Sequence, residues 1–154
     1  MTPLLRAVFR LPVYVYHWRL GWLFGHRFLL LSHTGRRTGR YHETVLEVLE
    51  YRKAAREAVV MSGFGRNANW LRNIATSRRC EVTIGAHQFV AAHRFLEADE
   101  AVGVLSAYER HHRLLAPLIH LVLTRLLGWR YHGHDGERRR LVAQLPLIGF
   151  RPAS

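Results

Sequence analysis

Residues 28–51 read FLLLSHTGRRTGRYHETVLEVLEY, and the order of residue types along this stretch decides the architecture. Phe28, Leu29, Leu30 and Leu31 form an apolar run that ends at Ser32, shorter than an ordinary helix and bounded by turn residues, which is a strand signal. Thr34-Gly35-Arg36-Arg37-Thr38-Gly39-Arg40 reads as a turn, because its two glycines reach backbone conformations that other residues avoid. Residues 44–51 then form a second strand with Val45, Leu46, Val48 and Leu49 as its apolar members. The stretch is therefore a hairpin with a cationic tip.

Outward from the hairpin the same logic continues. Residues 52–57 are charged and turn-like, 58–62 form a buried strand, and Gly63-Phe64-Gly65 leads into a helix from about 67 to 77. Strands at 81–84 and 88–96 are joined by Gly85-Ala86-His87, and Asp99 opens a helix to about His112. Pro117 divides a long helical region in two. A turn at 133–136, a short basic helix through 138–140 and a strand at 145–150 end the chain. Upstream, a helix runs to about Arg19 with a break at Pro12, followed by a turn at Gly21 and Gly25. Hairpin-joined strands with helices inserted between them predict an α+β fold built on an antiparallel sheet or barrel, not a doubly wound parallel sheet. The length suits one domain over 1–154, with 1–27 a basic amphipathic segment.

The turn at 34–40 can hold an anion. Guanidinium groups at Arg36, Arg37 and Arg40 grip phosphate or carboxylate oxygens bidentately, and the hydroxyls of Thr34 and Thr38 add neutral donors. Gly35 and Gly39 let the backbone come close. A solvated basic turn or an RNA-touching loop has the same composition. It is not a Walker A loop, since the Gly-Lys-Ser/Thr ending is missing. The second loop, Ser62-Gly63-Phe64-Gly65-Arg66-Asn67, leaves a buried strand and enters a helix, so its N–H groups and the helix start also favour an anion. On that helix Trp70 and Asn73 share a face. They read equally as a stacking indole with a positioning amide, or as a core residue beside a solvated one.

Whole-chain composition narrows the partners less than it first suggests. The net charge of +12 points to nucleic acid, an anionic membrane or an anionic small molecule, but Lys53 is the only lysine among 23 basic residues, a bias that codon composition can produce. The first 42 residues hold seven arginines, no acid, and Phe9, Trp18, Trp22 and Phe24. Two readings follow, a segment that lies on an anionic bilayer or a basic helix that closes the barrel. No uninterrupted run of about 20 apolar residues is present. The apolar run 114–127 reads either as the wall of a pocket for a flat hydrophobic acceptor or as a buried or membrane-facing helix. A single cysteine, Cys80, excludes an intrachain disulfide and reads as a core residue in a cytoplasmic chain. No metal is expected, because His132, His134 and Asp135 lie too close in sequence for an unstrained site. No nucleophile elbow and no pair of hydrolytic carboxylates is visible.

The two loops together resemble the deazaflavin-dependent nitroreductase and quinone-reductase family, which uses coenzyme F-420. The Thr34–Gly39 tip matches that family's Thr-Gly-Arg-Arg/Lys-Ser/Thr-Gly, and Asn67-Ala68-Asn69-Trp70-Leu71-Arg72-Asn73 matches its Asn-x-x-Trp-x-x-Asn helix. The strand pair near 80–84 and 88–96 and Leu145-Pro146-Leu147 sit where the family has them. The resemblance implies a split β-barrel of the FMN-binding type. It also implies that Arg36, Arg37, Thr38 and Arg40 face the coenzyme's phosphate and tail, that Ser62, Gly63 and Phe64 line the ring, and that Trp70 and Asn73 buttress the site. Thr34, Gly35, Gly39, Gly65, Arg66 and Asn69 complete the expected cofactor set, with FMN as the alternative cofactor. This chain departs from the family at Gly63-Phe64-Gly65-Arg66, where relatives carry Lys-Gly, and at Ala68 and Leu71.

The expected reaction is hydride transfer from the reduced deazaflavin to a quinone, a nitroaromatic or another electrophilic acceptor, with no side-chain nucleophile. Tyr108, a histidine or water supplies the proton. The alternative is a split barrel that binds cofactor or lipid without turnover. A small-molecule acceptor and no nucleic acid are the expected partners, in a monomer or homodimer, in the cytoplasm or on the inner face of the membrane.

Overall fold

The computed structural model describes residues 26–77 and 80–153. Six strands, β1 (Phe28–Thr34), β2 (Tyr41–Arg52), β3 (Glu57–Met61), β4 (Cys80–Ile84), β5 (His87–Phe95) and β6 (Leu147–Pro152), close into an antiparallel barrel in the order β1-β2-β3-β6-β5-β4. Four helices flank it: α1 (Asn69–Ser77), α2 (Ala98–His111), α3 (Ala116–Leu127) and α4 (Asp135–Gln144). This is the α+β barrel expected from the hairpin pattern. Three seams, β1–β2, β2–β3 and β4–β5, join sequence neighbours. The seams β1–β4, β3–β6 and β5–β6 are long-range and remove every open edge. The expected N-terminal helix, and the basic segment apart from its last two residues, lie outside the described residues.

Strand alternation divides the apolar residues between two cores. Leu29, Leu31, Val48, Ala58, Val60, Val82, Ile84, Ile148 and Phe150 point into the barrel, where Trp70, Leu71 and Ile74 of α1 plug it. Val59 and Leu147 point out of the same strands and are covered by α2, α3 and α4 through Val104, Leu105, Leu123, Leu127 and Leu141. Strands β3 and β6 are buried on both faces for this reason, and so read as continuous apolar runs. Truncating a wholly buried residue such as Phe150 to Ala should cost about 3–5 kcal/mol.

Strand β2 carries an irregularity. Val48 pairs with Val60 and Glu50 with Val59, so Leu49 is an extra residue in a β-bulge. Leu46, Val48 and Tyr51 pack on the barrel core, while Leu49 packs on the helical layer. Accommodating Leu49 as a bulge keeps Tyr51, not Glu50, on the inner side.

Several boundaries differ from the sequence reading, each for a local reason. The tip closes within 35–40, where the Gly35 N–H donates to the Arg40 carbonyl (2.7 Å) and the Gly39 N–H to the Gly35 carbonyl (2.9 Å), so β2 starts at Tyr41. Helix α1 starts at Asn69 instead of Asn67, because Gly65–Asn67 form a 3-10 turn and Ala68 is extended (φ −53°, ψ 134°). The chain between α2 and α3 bends at the 3-10 turn Arg113–Leu115, and Pro117 sits in the first turn of α3, where its missing N–H costs nothing. Helix α4 is longer than the expected 138–140, because the Glu137 carboxylate accepts the His134 N–H (3.2 Å) and caps it. Leu145 is its C-cap, with its N–H donating to the Leu141 carbonyl, and β6 starts at Leu147 after Pro146.

Candidate functional site

A groove of about 570 Å³ lies at the barrel mouth between the hairpin tip and the start of α1. Its floor follows from strand phase. His33 continues the inward series Leu29 and Leu31 on β1, and His42 and Thr44 continue the series of Leu46 and Val48 on β2. At the mouth the inward face changes from apolar to polar. His33 and His42 are cross-strand partners, and their rings stack with centroids 5.6 Å apart. Gly35 is required at the near wall, since a Cβ there would lie 2.9 Å from Thr38 Oγ1 and 3.0 Å from His42 Nε2.

Asn73 ties the tip to the helix. Its Oδ1 accepts from the Arg36 guanidinium (2.9 Å) and from the Arg36 backbone N–H (3.2 Å). Arginine only donates, so the amide nitrogen of Asn73 must face His33, whose Nδ1 is 3.1 Å away. Nδ1 therefore accepts, the ring proton sits on Nε2, and Nε2 donates to Thr44 Oγ1 (3.3 Å). This arrangement requires a neutral His33. Burial first, and then the nearby His42, hold its pKa down at about 4, so neutrality holds at physiological pH. The chain Arg36, Asn73, His33, Thr44 fixes the direction of one guanidinium in the groove.

The groove is electropositive. Desolvation, followed by the charges of Arg72 and Arg37, pushes the Arg36 pKa below its ordinary value. Neither Arg36 nor Arg37 makes an ion pair with a described carboxylate. Glu43 also lines the groove and accepts from the Tyr41 hydroxyl at 3.1 Å.

Eight of the residues singled out in the sequence line this groove: Gly35, Arg36, Arg37, Thr38, Phe64, Asn69, Trp70 and Asn73. Trp70 is at once core and wall, 7% exposed and 6.3 Å from the Phe150 ring. Thr34 is exposed at the end of β1, while Gly39 and Arg40 close the tip without facing the groove. Ser62 is fully buried and donates to the Gly65 carbonyl (2.6 Å), shaping the second loop from behind. Gly63 and Gly65 face a smaller cavity beside Arg125, Leu126 and Gln144, and Arg66 stacks on the Phe95 ring at 5.5 Å. His33, His42, Glu43, Thr44, Asn67 and Ala68 line the groove without having been singled out. The period-two series running past the apolar positions of β1 and β2 is the signal that reaches the first four of these except Glu43.

Behind the second loop lies another cavity, of about 330 Å³, between the outer face of β2 and helices α2 and α3. Leu49, Leu105, Ile119, Val122, Leu123 and Leu126 make it apolar. The loop borders both spaces: Phe64 lines the groove, and a Cβ on Gly63 would lie 3.5 Å from Leu126, which lines the outer cavity. Arg27, Glu47, Tyr108 and His112 are the polar members of this cavity. The Tyr108 hydroxyl donates to Glu47, and its ring lies 4.5 Å from that of His112. Burial and then the Glu47 hydrogen bond push its phenol well above the ordinary value, so it stays protonated.

Residues 17–111 match the family model described as F420H(2)-dependent quinone reductase. No curated protein matches the sequence significantly. Among solved structures, the chain is similar to Atu2129, a protein of unknown function from Agrobacterium tumefaciens str. C58, at 14% identity and TM-score 0.54. That alignment covers 90% of this chain, which spans 55% of the other protein's length. HutZ, the heme storage protein from Vibrio cholerae, matches at 10% identity and TM-score 0.52, over 90% of this chain and 89% of that one. An F420-H2 dependent reductase, FDR-A, matches at 14% identity and TM-score 0.46, over 82% and 96% of the two chains. At these identities Atu2129 and HutZ speak for the fold alone.

Proposed function

The chain belongs to the F420H(2)-dependent quinone reductase family, and from that membership we propose that it passes hydride from the reduced deazaflavin to a quinone-type acceptor. Dependence on F420 and oxidoreductase chemistry come with the family. Selection of a quinone over a nitroaromatic or another flat electrophile is this proposal's own content.

The residues present fit the coenzyme. It is a polyanion with a flat ring, and the groove offers guanidinium groups that make no ion pair among the described residues, together with an indole, a phenyl ring and amides. Arg36, Arg37 and Thr38 would hold the phosphate and tail oxygens, with Arg40 beside them on the tip. Phe64, Asn67, Asn69 and Trp70 would border the ring. The observation that carries this reading is Asn73, which spends its carbonyl oxygen twice on Arg36 and so aims a cation into the groove.

When bound, the reduced coenzyme supplies the hydride, and a quinone that gains one hydride and one proton becomes a hydroquinone. The chain's own residues do the rest. The outer cavity excludes water from an apolar acceptor through its leucines and valine. Tyr108, which shares that cavity with Arg27 and His112, can turn its hydroxyl from Glu47 to hydrogen-bond the acceptor oxygen, and the proton the product gains comes from solvent. The contact with an inner membrane face expected of segment 1–27 belongs to the same reading, since such a quinone is lipid-soluble.

Titration of the purified protein with F-420, followed by fluorescence, tests the cofactor assignment. Arg36→Ala with Arg37→Ala should weaken binding by about 2–5 kcal/mol, and an unchanged affinity would remove both residues from the site. Tyr108→Phe should lower kcat for a water-soluble quinone and leave coenzyme affinity alone. Saturable binding with no turnover of any quinone would favour the non-catalytic alternative.

A further inference from the structure

We propose that the outer face of α3, with the turn before it, seats on the surface of an anionic lipid bilayer. Leu118, Leu121 and Val122 fall at positions i, i+3 and i+4 of α3, one stripe of the helix, and Leu114 lies in the 3-10 turn just before it. Leu114, Leu118, Leu121 and Val122 are 94%, 57%, 51% and 48% exposed, and Leu115 beside them is 49% exposed. The opposite side of the helix is spent on the protein, with Leu123 and Leu127 buried in the helical layer. An isolated exposed leucine is ordinary, whereas a continuous aliphatic stripe marks a surface that is covered in use.

Charge identifies what covers it. From Arg110 to His134 the chain holds Arg110, Arg113, Arg125 and Arg130, five histidines and no carboxylate. The partner is therefore apolar in its centre and anionic at its rim. A second copy meeting this face about a twofold axis would set the same four arginines against one another. Segment 1–25 carries Arg6, Arg10 and Arg19 and no acid, so it has the same sign. An anionic bilayer offers acyl chains to the leucines and headgroups to the arginines, the pairing by which an amphipathic helix lies in an interface.

The seat also leads somewhere. Leu115, Leu118 and Val122 belong both to the exposed face and to the wall of the outer cavity, so that cavity opens where the lipid would be. The route this gives a lipid-soluble acceptor rests on reading the cavity as the acceptor site, and the seating itself does not.

Cosedimentation of the full chain, without coenzyme, with vesicles of phosphatidylcholine alone or mixed with phosphatidylglycerol tests the seating. Binding should appear with phosphatidylglycerol and fall with salt. Leu114→Gln with Leu121→Gln, two residues outside the cavity wall, should lower partitioning at least about tenfold. The double variant should keep its thermal melt and its turnover of a short-chain quinone in solution. Equal partitioning of variant and parent, or no binding at any phosphatidylglycerol content, would overturn the proposal. So would a parent that self-associates in sedimentation velocity while its variant does not, since the face would then join two copies. Vesicle binding without turnover of soluble quinone would end the acceptor reading and leave the seating intact.

Discussion

Two arginine clusters on the same barrel meet opposite fates. On the outer face, Arg52 of β2, Glu57 of β3 and Arg94 of β5 run across the sheet, and Glu100 from the first turn of α2 caps them. Arg94 lies 2.8 Å from Glu57 and 2.7 Å from Glu100, and Arg52 lies 3.1 Å and 2.6 Å from the same two carboxylates. Gly149 lies beneath, where a Cβ would come 2.7 Å from Glu57 Oε2. At the barrel mouth, Arg36 is held by an amide and Arg37 by nothing described. The first cluster is complete and contributes to folding. The second makes no ion pair among the described residues: neutral scaffolding aims its charge without cancelling it.

The largest way to break this comparison is at the completed cluster. Glu57 is 3% exposed, and Arg94→Ala would leave it with Arg52 alone. Stability should fall by about 1.5–3 kcal/mol in denaturant unfolding, with F-420 affinity unchanged. A loss of affinity instead would mean the two clusters are coupled. The converse change, Asn73→Asp, makes the mouth resemble the paired cluster. It gives Arg36 a carboxylate and asks His33 to carry a proton, so F-420 affinity should fall by about 1–3 kcal/mol. The His33 titration, followed by NMR, should move up from about 4. A rise in affinity would show that the coenzyme does not need this charge.

Acid separates the regions by pH window. His33 has a depressed folded pKa, so the unfolded chain takes up a proton first, and stability falls as pH drops from about 6.5 to about 4. That step is worth about 3 kcal/mol. Glu100 is held at about 2 by Arg94 and then Arg52, so its contribution is complete above about 4.5 and is lost between there and about 2. Coenzyme binding should therefore weaken at a higher pH than the one at which the outer quartet fails. The smallest expected effect is Arg37→Ala, which should change stability by no more than about 0.5 kcal/mol while weakening coenzyme binding.

The hairpin, the strand series and the two loops were legible because each is written locally, in glycine spacing and in runs of apolar residues. Their convergence was legible only through the family resemblance. Arg36 and Asn73 are 37 residues apart, and no periodicity announces that one will hold the other. His33 and His42 were hidden by their position beside the turn, although strand phase places both inward. The start of α1 was misplaced because Ala68 has good helix propensity, and tertiary packing under the barrel mouth keeps it extended. The outer quartet draws on three strands and a helix, which local reading cannot assemble.

The bulge in β2 gives the molecule a separable part. Leu49 is surplus to the hydrogen-bond ladder, since Val48 and Glu50 already face consecutive residues of β3. A strand without it would keep the same inward set and close the same barrel. What would change is the outer cavity, which loses one aliphatic wall. The outer cavity can thus change shape over evolutionary time while the groove at the barrel mouth stays in register.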